Sequence, residues 1–369
     1  MKLIELHVLQ SFPVSCLNRD ELGSPKAATF GGVNRARLAS QCLKRATRKY
    51  AKDHFAVGFD ANRTKELIPL LTTGLIKQGI VESEAAKHAL KIGEAVVGLD
   101  SKDKTRISAL MFIAPSEIES ICVNVAKLIK EGTLTIKETA TEKTEPKGKK
   151  EKKDNSYAKK IAQFCKEATL HDGADVAIFG RMVASTASLT LEGATLFGHA
   201  ISTHKADNDL DFFSAVDDLK TSDDDAGSSM LGTTEFTSAV YYRYVALNLD
   251  LLKTNLAKID KDQRKAIVNA FIRAVLQAIP SARKNSMNAS TLPGFVLGIY
   301  KEGQPLQLVN AFENPVRSSG GGLLAGSVEA IKAHNTALKT TWDLTNIAEV
   351  SLPESNISEF CNRLIAYVE

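Results

Sequence analysis

The sequence predicts an α+β protein, a small mixed core carrying appended lobes. Three observations predict it. Strand-like and helical segments alternate along the chain, the insertions between them are long, and no 20–50-residue repeat indicates a solenoid. The 369 residues suffice for two domains or one decorated domain. With 44% apolar and 24% charged residues a sizeable core is available, so disorder over most of the length is excluded. No apolar run reaches the roughly 18 residues of a membrane span, and the N-terminus lacks the apolar stretch of a signal peptide. Cys16, Cys42, Cys122, Cys165 and Cys361 are far apart without a C-x-x-C pair, which argues against a disulfide framework or a zinc knuckle. A cytoplasmic protein away from membranes is expected.

Residues 3–9 are rich in β-formers and read as the first strand. A loop follows over 11–34, punctuated by Pro13, Asn18, Gly23, Pro25 and Gly31-Gly32, and longer than ordinary connections. Residues 33–39 are extended, with Arg35 and Arg37 on one side and Ala36 and Leu38 on the other. Ser40 is placed to cap a helix. At a helical period Cys42, Leu43, Ala46 and Tyr50 share one arc, and Gln41, Lys44, Arg45, Arg48, Lys49 and Lys52 share the opposite one. Residues 60–135 carry helical periodicity, and 137–153 form a lysine-rich, low-complexity, flexible loop. After Tyr157 the pattern gives a helix, then a strand-like run (ADVAIFGRM) ending at Gly180. The Asp-rich tip at 217–225 is too polar to bury. Residues 235–252 make the clearest strand, followed by a helix over 264–279, a strand over 295–300, a glycine-rich stretch over 319–326 and a C-terminal helix over 355–368.

Net charge is +4, but residues 1–52 alone carry +7 and the rest −3. Such asymmetry points to a surface that faces a polyanion, located near the N-terminus. Lys44, Arg48 and Lys52 follow at i, i+4 and i+8 with no acid at i±3 or i±4, whereas an ordinary solvated helix mixes signs. Arg19, Arg35 and Arg37 add cations that suit a phosphate chain. Only 6% of residues are aromatic and no RNP-like octapeptide occurs, so serial base stacking is not expected.

Other chemistry finds little support. His199 and His204, followed by Asp207, Asp209 and Asp211, have an i, i+5 spacing that puts the rings neither on one helix face nor on one strand face, so no metal site is expected. Gly320–Gly322 with Ala325 lacks a preceding strand, and no dinucleotide or other cofactor is expected. Asp20 and Glu21 are adjacent acids in a loop, the one pair that suggests Mg²⁺ and phosphodiester cleavage.

The stretch SCLNRDELGSPKAATFGGVNRARLASQCLKRATRK (15–49) resembles the CasC family, the backbone subunit of the type I-E CRISPR surveillance complex Cascade. GRM at 180–182, HAISTHKADNDLDFFSAVDDL at 199–219 and LGTTEFTSAVYYRYVALNL at 231–249 match in the same order. The resemblance implies a palm with an RNA-recognition-motif-like (ferredoxin-like) fold over 1–57, 166–199 and 233–369. A helical fingers lobe would span 58–165, and a protruding thumb hairpin 200–232. It implies copies stacked head to tail along a CRISPR RNA, presenting it to a target DNA strand, beside other Cascade subunits and a recruited or attached nuclease. Carried over position by position, guide-phosphate contacts fall on Ser40, Gln41, Lys44, Arg45 and Arg48. Arg19, Arg35, Arg37, Lys49 and Arg181 are further basic positions. The base wedge falls on Met182, with Phe213 and Leu231 on the thumb. Ala39 stands where relatives often carry a serine.

The expected function is therefore a non-catalytic RNA-binding filament subunit in antiviral defence. The competing reading is a metal-dependent RNA endonuclease like backbone subunits of type III complexes, with Asp20 as its aspartate.

Overall fold

A computed structural model describes residues 1–134, 155–215, 230–318 and 320–369. The lysine-rich segment 137–153 and the Asp-rich tip 217–225 lie outside the described residues. In chain order come β1 (Lys2–Ser15), β2 (Ala27–Phe30), β3 (Val33–Leu38), α1 (Ser40–His54), β4 (Asn62–Thr64), α2 (Leu67–Lys77), α3 (Glu82–Val96), β5 (Met111–Ile113), α4 (Pro115–Lys130), α5 (Asn155–Glu167) and α6 (Ala174–Phe179). They are followed by β6 (Thr195–Phe197), β7 (Ala200–Ser202), β8 (Asp209–Ala215), β9 (Met230–Asn248), α7 (Leu249–Asn255), α8 (Lys261–Gln277), β10 (Phe295–Glu302), α9 (Leu324–Trp342), β11 (Ala348–Leu352) and α10 (Ile357–Ile365). The class is α+β, as the sequence predicts.

The chain divides into two compact units. The first comprises Met1–His54, Thr195–Asp250 and Val268–Glu369. Its antiparallel sheet runs β11-β10-β1-β9-β7-β3-β2, with β6 and β8 also paired to β9. β1 lies between β10 and β9 and is buried on both faces from Leu3 to Gln10. That burial includes Glu5, which accepts from the Tyr244 hydroxyl (2.7 Å), the Leu306 amide (2.8 Å) and the Lys301 ammonium (2.9 Å), so its charge is compensated. One core cluster of this unit gathers Leu9, Tyr242, Phe295, Ile299, Phe312 and Ile331. Another gathers Phe12, Leu17, Ala36, Leu38, Leu43, Tyr241 and Ala289.

The second unit comprises Phe55–Ala194 and Leu251–Ile267. It takes in residues 166–194, which the resemblance assigns to the palm. Its core is built from Leu67, Leu71 and Leu75 of α2, Ala85, Ala89, Ile92 and Val96 of α3, and Ile121, Cys122 and Val125 of α4. These follow the i, i+3/i+4 spacing that the sequence shows.

Three local expectations change. Residues 11–34 are not one loop: β1 continues to Ser15, and β2 and β3 form a hairpin. Its turn is Gly31-Gly32, both at positive φ (61° and 74°), with Phe30 paired to Val33. A two-residue turn of that hand requires such residues. Residues 174–179 are a helix rather than a strand. Ala174 to Ile178 are all buried, so no periodicity distinguishes the two, and Gly180 (φ 77°) ends the element. Finally, Ser40 does not cap α1 through its hydroxyl. The carbonyl of Ala39 already accepts the amides of Cys42 (2.9 Å) and Leu43 (3.2 Å), and the Ser40 hydroxyl turns to the Gln41 side chain (3.4 Å).

Candidate nucleic-acid interface

α1 buries Leu43, Thr47 and Ala51, a strict i, i+4, i+8 row. The centre of the buried face is thus rotated slightly from the expected arc, with Cys42, Ala46 and Tyr50 at its flank. Gln41, Arg45, Lys49 and Lys52 are exposed, and Lys44 and Arg48 are half-buried at the boundary. The Lys44 ammonium stands 5.4 Å above the Phe197 ring. The aromatic face supports the side chain from below while its charge stays at the surface.

The start of α1 is tied to the sheet. The Ser40 amide donates to Nδ1 of His199 (3.1 Å). Phe197 and His199, two residues apart on an extended segment, therefore match Ser40 and Lys44, one helical turn apart. The periodicity of the 195–204 segment shows no such partnership, and His199 is considered from sequence only as a metal ligand. His204 turns elsewhere: its Nε2 accepts from the Val240 amide (3.2 Å) and its Nδ1 faces the Lys205 carbonyl (2.7 Å). Burial lowers its pKa. Among the described residues no three His, Cys, Asp or Glu side chains gather as a metal site.

Beside this helix, residues 16–26 form an ordered loop. Asp20 Oδ1 accepts the amides of Leu22 and Ser24 (2.9 Å each), and Lys26 donates its amide to the Asn18 carbonyl (2.9 Å). Asn18 in turn accepts the Ala39 amide (2.8 Å), which joins the loop to the helix start. Arg37 is held by its amide on the Lys26 carbonyl and by Nε on the Ala27 carbonyl (3.2 Å). Arg19, Lys26 and Arg37 line one open cleft together with Asp20 and Glu21. Lys26 is an addition to the expected set, brought in by this loop closure.

Two expected contacts are interior residues instead. Arg35 is 0% exposed, and its guanidinium donates to the carbonyls of Phe30 (3.1 Å), Ser202 (3.0 Å), Phe312 (2.7 Å) and Glu313 (3.3 Å). The alternation that sends Arg37 outward does not bring Arg35 with it, because the carbonyls of Phe30, Ser202, Phe312 and Glu313 close around the Arg35 guanidinium and hold it inside. Arg181 is buried in the second unit, where it pairs with Glu117. Neither presents a cation to a ligand.

Next to Arg181, Met182 is 84% exposed. In the first unit, β8 and β9 make a hairpin whose β8 residues are all exposed. Phe213 pairs with Gly232 and its ring covers that glycine, where a Cβ would overlap the ring. Leu210 and Phe212, on the opposite face of the strand, are exposed as well. Leu231 pairs with Ser214 in the same register.

The family model described as CT1975-like protein matches residues 4–363. A chain of a solved structure titled "CRISPR RNA-guided surveillance complex, pre-nicking" aligns over 100% of both chains, with a TM-score of 0.79 and 26% identity. A chain from "CRISPR RNA-guided surveillance complex" aligns over 99% of both, with a TM-score of 0.67 and 23% identity, a likeness of fold. No curated protein sequence matches. No helix among the described residues is long and apolar enough to cross a membrane.

Proposed function

We propose, since the chain belongs to the CT1975-like protein family, that it is a non-catalytic guide-RNA-binding backbone subunit of a surveillance complex of the type I-E Cascade kind. The observation that carries this reading is the surface where Gln41, Lys44, Arg45, Arg48, Lys49 and Lys52 of α1 adjoin the cleft of Arg19, Lys26 and Arg37. Backbone phosphates carry no sequence information, so a subunit that holds every guide alike must bind there. Target choice then passes to base pairing between guide and DNA, as in other guide-directed systems. Met182 and Phe213 supply apolar groups that part neighbouring bases without reading them, at a cost of about a few kcal/mol of unstacking per step.

On this reading the first unit includes the palm and the β8–β9 thumb, and the helical unit includes the fingers. Copies associate head to tail along the RNA in the cytoplasm, beside other subunits and a recruited or attached nuclease. The Asp20 carboxylate already accepts two amides of its own loop, and no observation favours the endonuclease reading. Assembled complex incubated with complementary RNA and Mg²⁺ is expected to leave that RNA intact.

The direct test is purification from cells. The complex is expected to carry one short RNA of uniform length, and a particle free of oligonucleotide would refute the reading. Reversing Lys44, Arg45 and Arg48 to Glu is expected to weaken guide binding regardless of guide sequence. It should also flatten the salt dependence by about 0.7 in log–log slope per lost phosphate contact.

A further inference from the structure

The connection between α8 and β10 contains Ser281-Ala-Arg-Lys-Asn-Ser-Met-Asn-Ala-Ser290, a polar, basic segment that neither the charge count of residues 1–52 nor the resemblance marks as functional. It is not a loose surface loop. Ala289 is buried in the core cluster that also holds Leu43 of α1, Leu17 and Leu38. Thr291 clamps the following turn onto β1: its carbonyl accepts from the Gln10 side chain (2.7 Å), and its hydroxyl donates to the Ser11 carbonyl (2.7 Å). The core that supports the basic helix therefore supports this loop too.

Arg283 holds an unusual conformation within it. Its φ is 51°, a left-handed backbone unfavourable for a residue with a side chain. Its carbonyl accepts the amides of Ser286 (3.2 Å) and Met287 (2.8 Å), so the loop winds around it. Nη1 donates to the Thr234 hydroxyl (3.2 Å) at the base of the β8–β9 hairpin, while Nε is buried without a hydrogen-bond partner. Arg283 and Arg19 both act electrostatically on Cys16: burial pushes its thiol up, these two cations pull it back, and Glu235 and Asp20 add smaller upward pushes. Lys284, Asn285, Ser286 and Asn288 are exposed around this point. Strain persists where surrounding structure enforces it and where function uses it.

We propose that the 281–290 loop, led by Arg283 and Lys284, is a second contact with the sugar–phosphate chain, separate from α1 and next to the thumb base. This rests on the RNA-binding reading above and extends it. Lys284 supplies a point charge and Arg283 a guanidinium held partly preorganised by Thr234. Asn285 and Asn288 supply neutral amides that hydrogen-bond phosphate oxygens or ribose hydroxyls of any sequence.

The test titrates the full chain with a labelled single-stranded RNA of mixed sequence at two salt concentrations. The Arg283→Ala/Lys284→Ala variant is expected to bind at least tenfold more weakly, with the log–log salt slope lower by about 1.4 for two lost contacts. Arg283→Gly separates contact from architecture, because glycine accepts the left-handed φ without strain. It is expected to keep the parent's melting temperature while binding roughly three- to tenfold more weakly. Parental affinity and slope in the double variant, with binding still lost on reversing Lys44, Arg45 and Arg48, would overturn the loop contact alone. Parental binding in that helix variant as well would bring down the RNA-binding reading and this inference with it.

Discussion

Nη1 of Arg181 lies 2.8 Å from both carboxylate oxygens of Glu117, with both side chains almost wholly buried in the helical unit. Arg181 also donates from Nε to the Leu189 carbonyl (2.9 Å) and from Nη1 to the Phe112 carbonyl (3.2 Å). Glu117 accepts the Ala114 amide (3.0 Å) and so closes the first turn of α4. The pair joins the start of that helix to the segment that carries Met182. Removing one partner leaves the other charge buried and unpaired, at a cost of about 3–5 kcal/mol. Arg181→Met and Glu117→Leu are each expected to lose that much in urea denaturation, and the double variant distinctly less. The salt slope of RNA binding should stay parental in any variant that folds, since Arg181 faces no ligand.

Phe213 lies over Gly232, and the hairpin depends on that absence of a side chain. A Cβ at position 232 would stand 2.8 Å from Cε1 of the ring. Gly232→Ala is expected to displace the ring and cost about 1–3 kcal/mol locally. Amide hydrogen exchange of residues 209–213 should accelerate, while β1 amides stay protected. Unchanged exchange in the hairpin would mean that the ring has room to move.

Much of this is legible in the sequence, and the exceptions share a cause. α1 and the exposed row Arg45, Lys49 and Lys52 follow from period alone, because one face of that helix meets a core and the other does not. Arg35 and Arg37 have the same spacing as any outward pair. Besides the nearby Phe30 carbonyl, it is the carbonyls of Ser202, Phe312 and Glu313, far away in sequence, that satisfy a buried guanidinium at Arg35. Arg181 is hidden for the same reason, its partner being 64 residues away. α6 misleads because it is buried all round. α9 was obscured by the glycines before it, and its Ser, Thr and His content weakens the apolar stripe. His199 and Arg283 join the site through a hydrogen bond and a loop anchor that leave no local pattern.

Met182 contributes little to the folded chain, being 84% exposed, so Met182→Ala should change its stability by no more than about 0.5 kcal/mol. If its thioether parts guide bases, the consequence belongs to the assembled complex. Chemical probing of the parent's guide is expected to give reactive bases at a regular interval. The variant should blunt that periodicity while retaining the RNA. A pattern identical to the parent's would remove Met182 from the wedge.

His7 gives the chain a pH dependence whose sign follows from its hydrogen bonds. The Leu308 amide donates to the Tyr242 hydroxyl oxygen (2.9 Å), which lies 3.0 Å from His7 Nδ1. The phenol therefore donates its own proton to Nδ1, and the neutral ring carries hydrogen on Nε2, which is buried without a hydrogen-bond partner, 3.9 Å from a Glu5 carboxylate that the Lys301 ammonium already neutralises. Burial, reinforced by the Lys301 charge, pulls the His7 pKa down to about 3. An unfolded chain takes up this proton as pH falls through about 6.5, whereas the native state resists until about 3. The unfolded state thus binds more protons throughout that window, and stability rises with pH across it. Between pH 7 and pH 5 the loss from this one ring is about 2 kcal/mol. His7→Phe removes the titration but leaves the Tyr242 hydroxyl without its acceptor, at a cost of about 1 kcal/mol. His88 and His204, both lowered by burial, titrate alike in parent and variant and cancel in the comparison. Urea unfolding is therefore expected to find the parent more stable at pH 7 and the variant more stable at pH 5. A gap that stays constant from pH 7 to pH 5 would show that the folded protein lets His7 take up its proton as freely as the unfolded chain does.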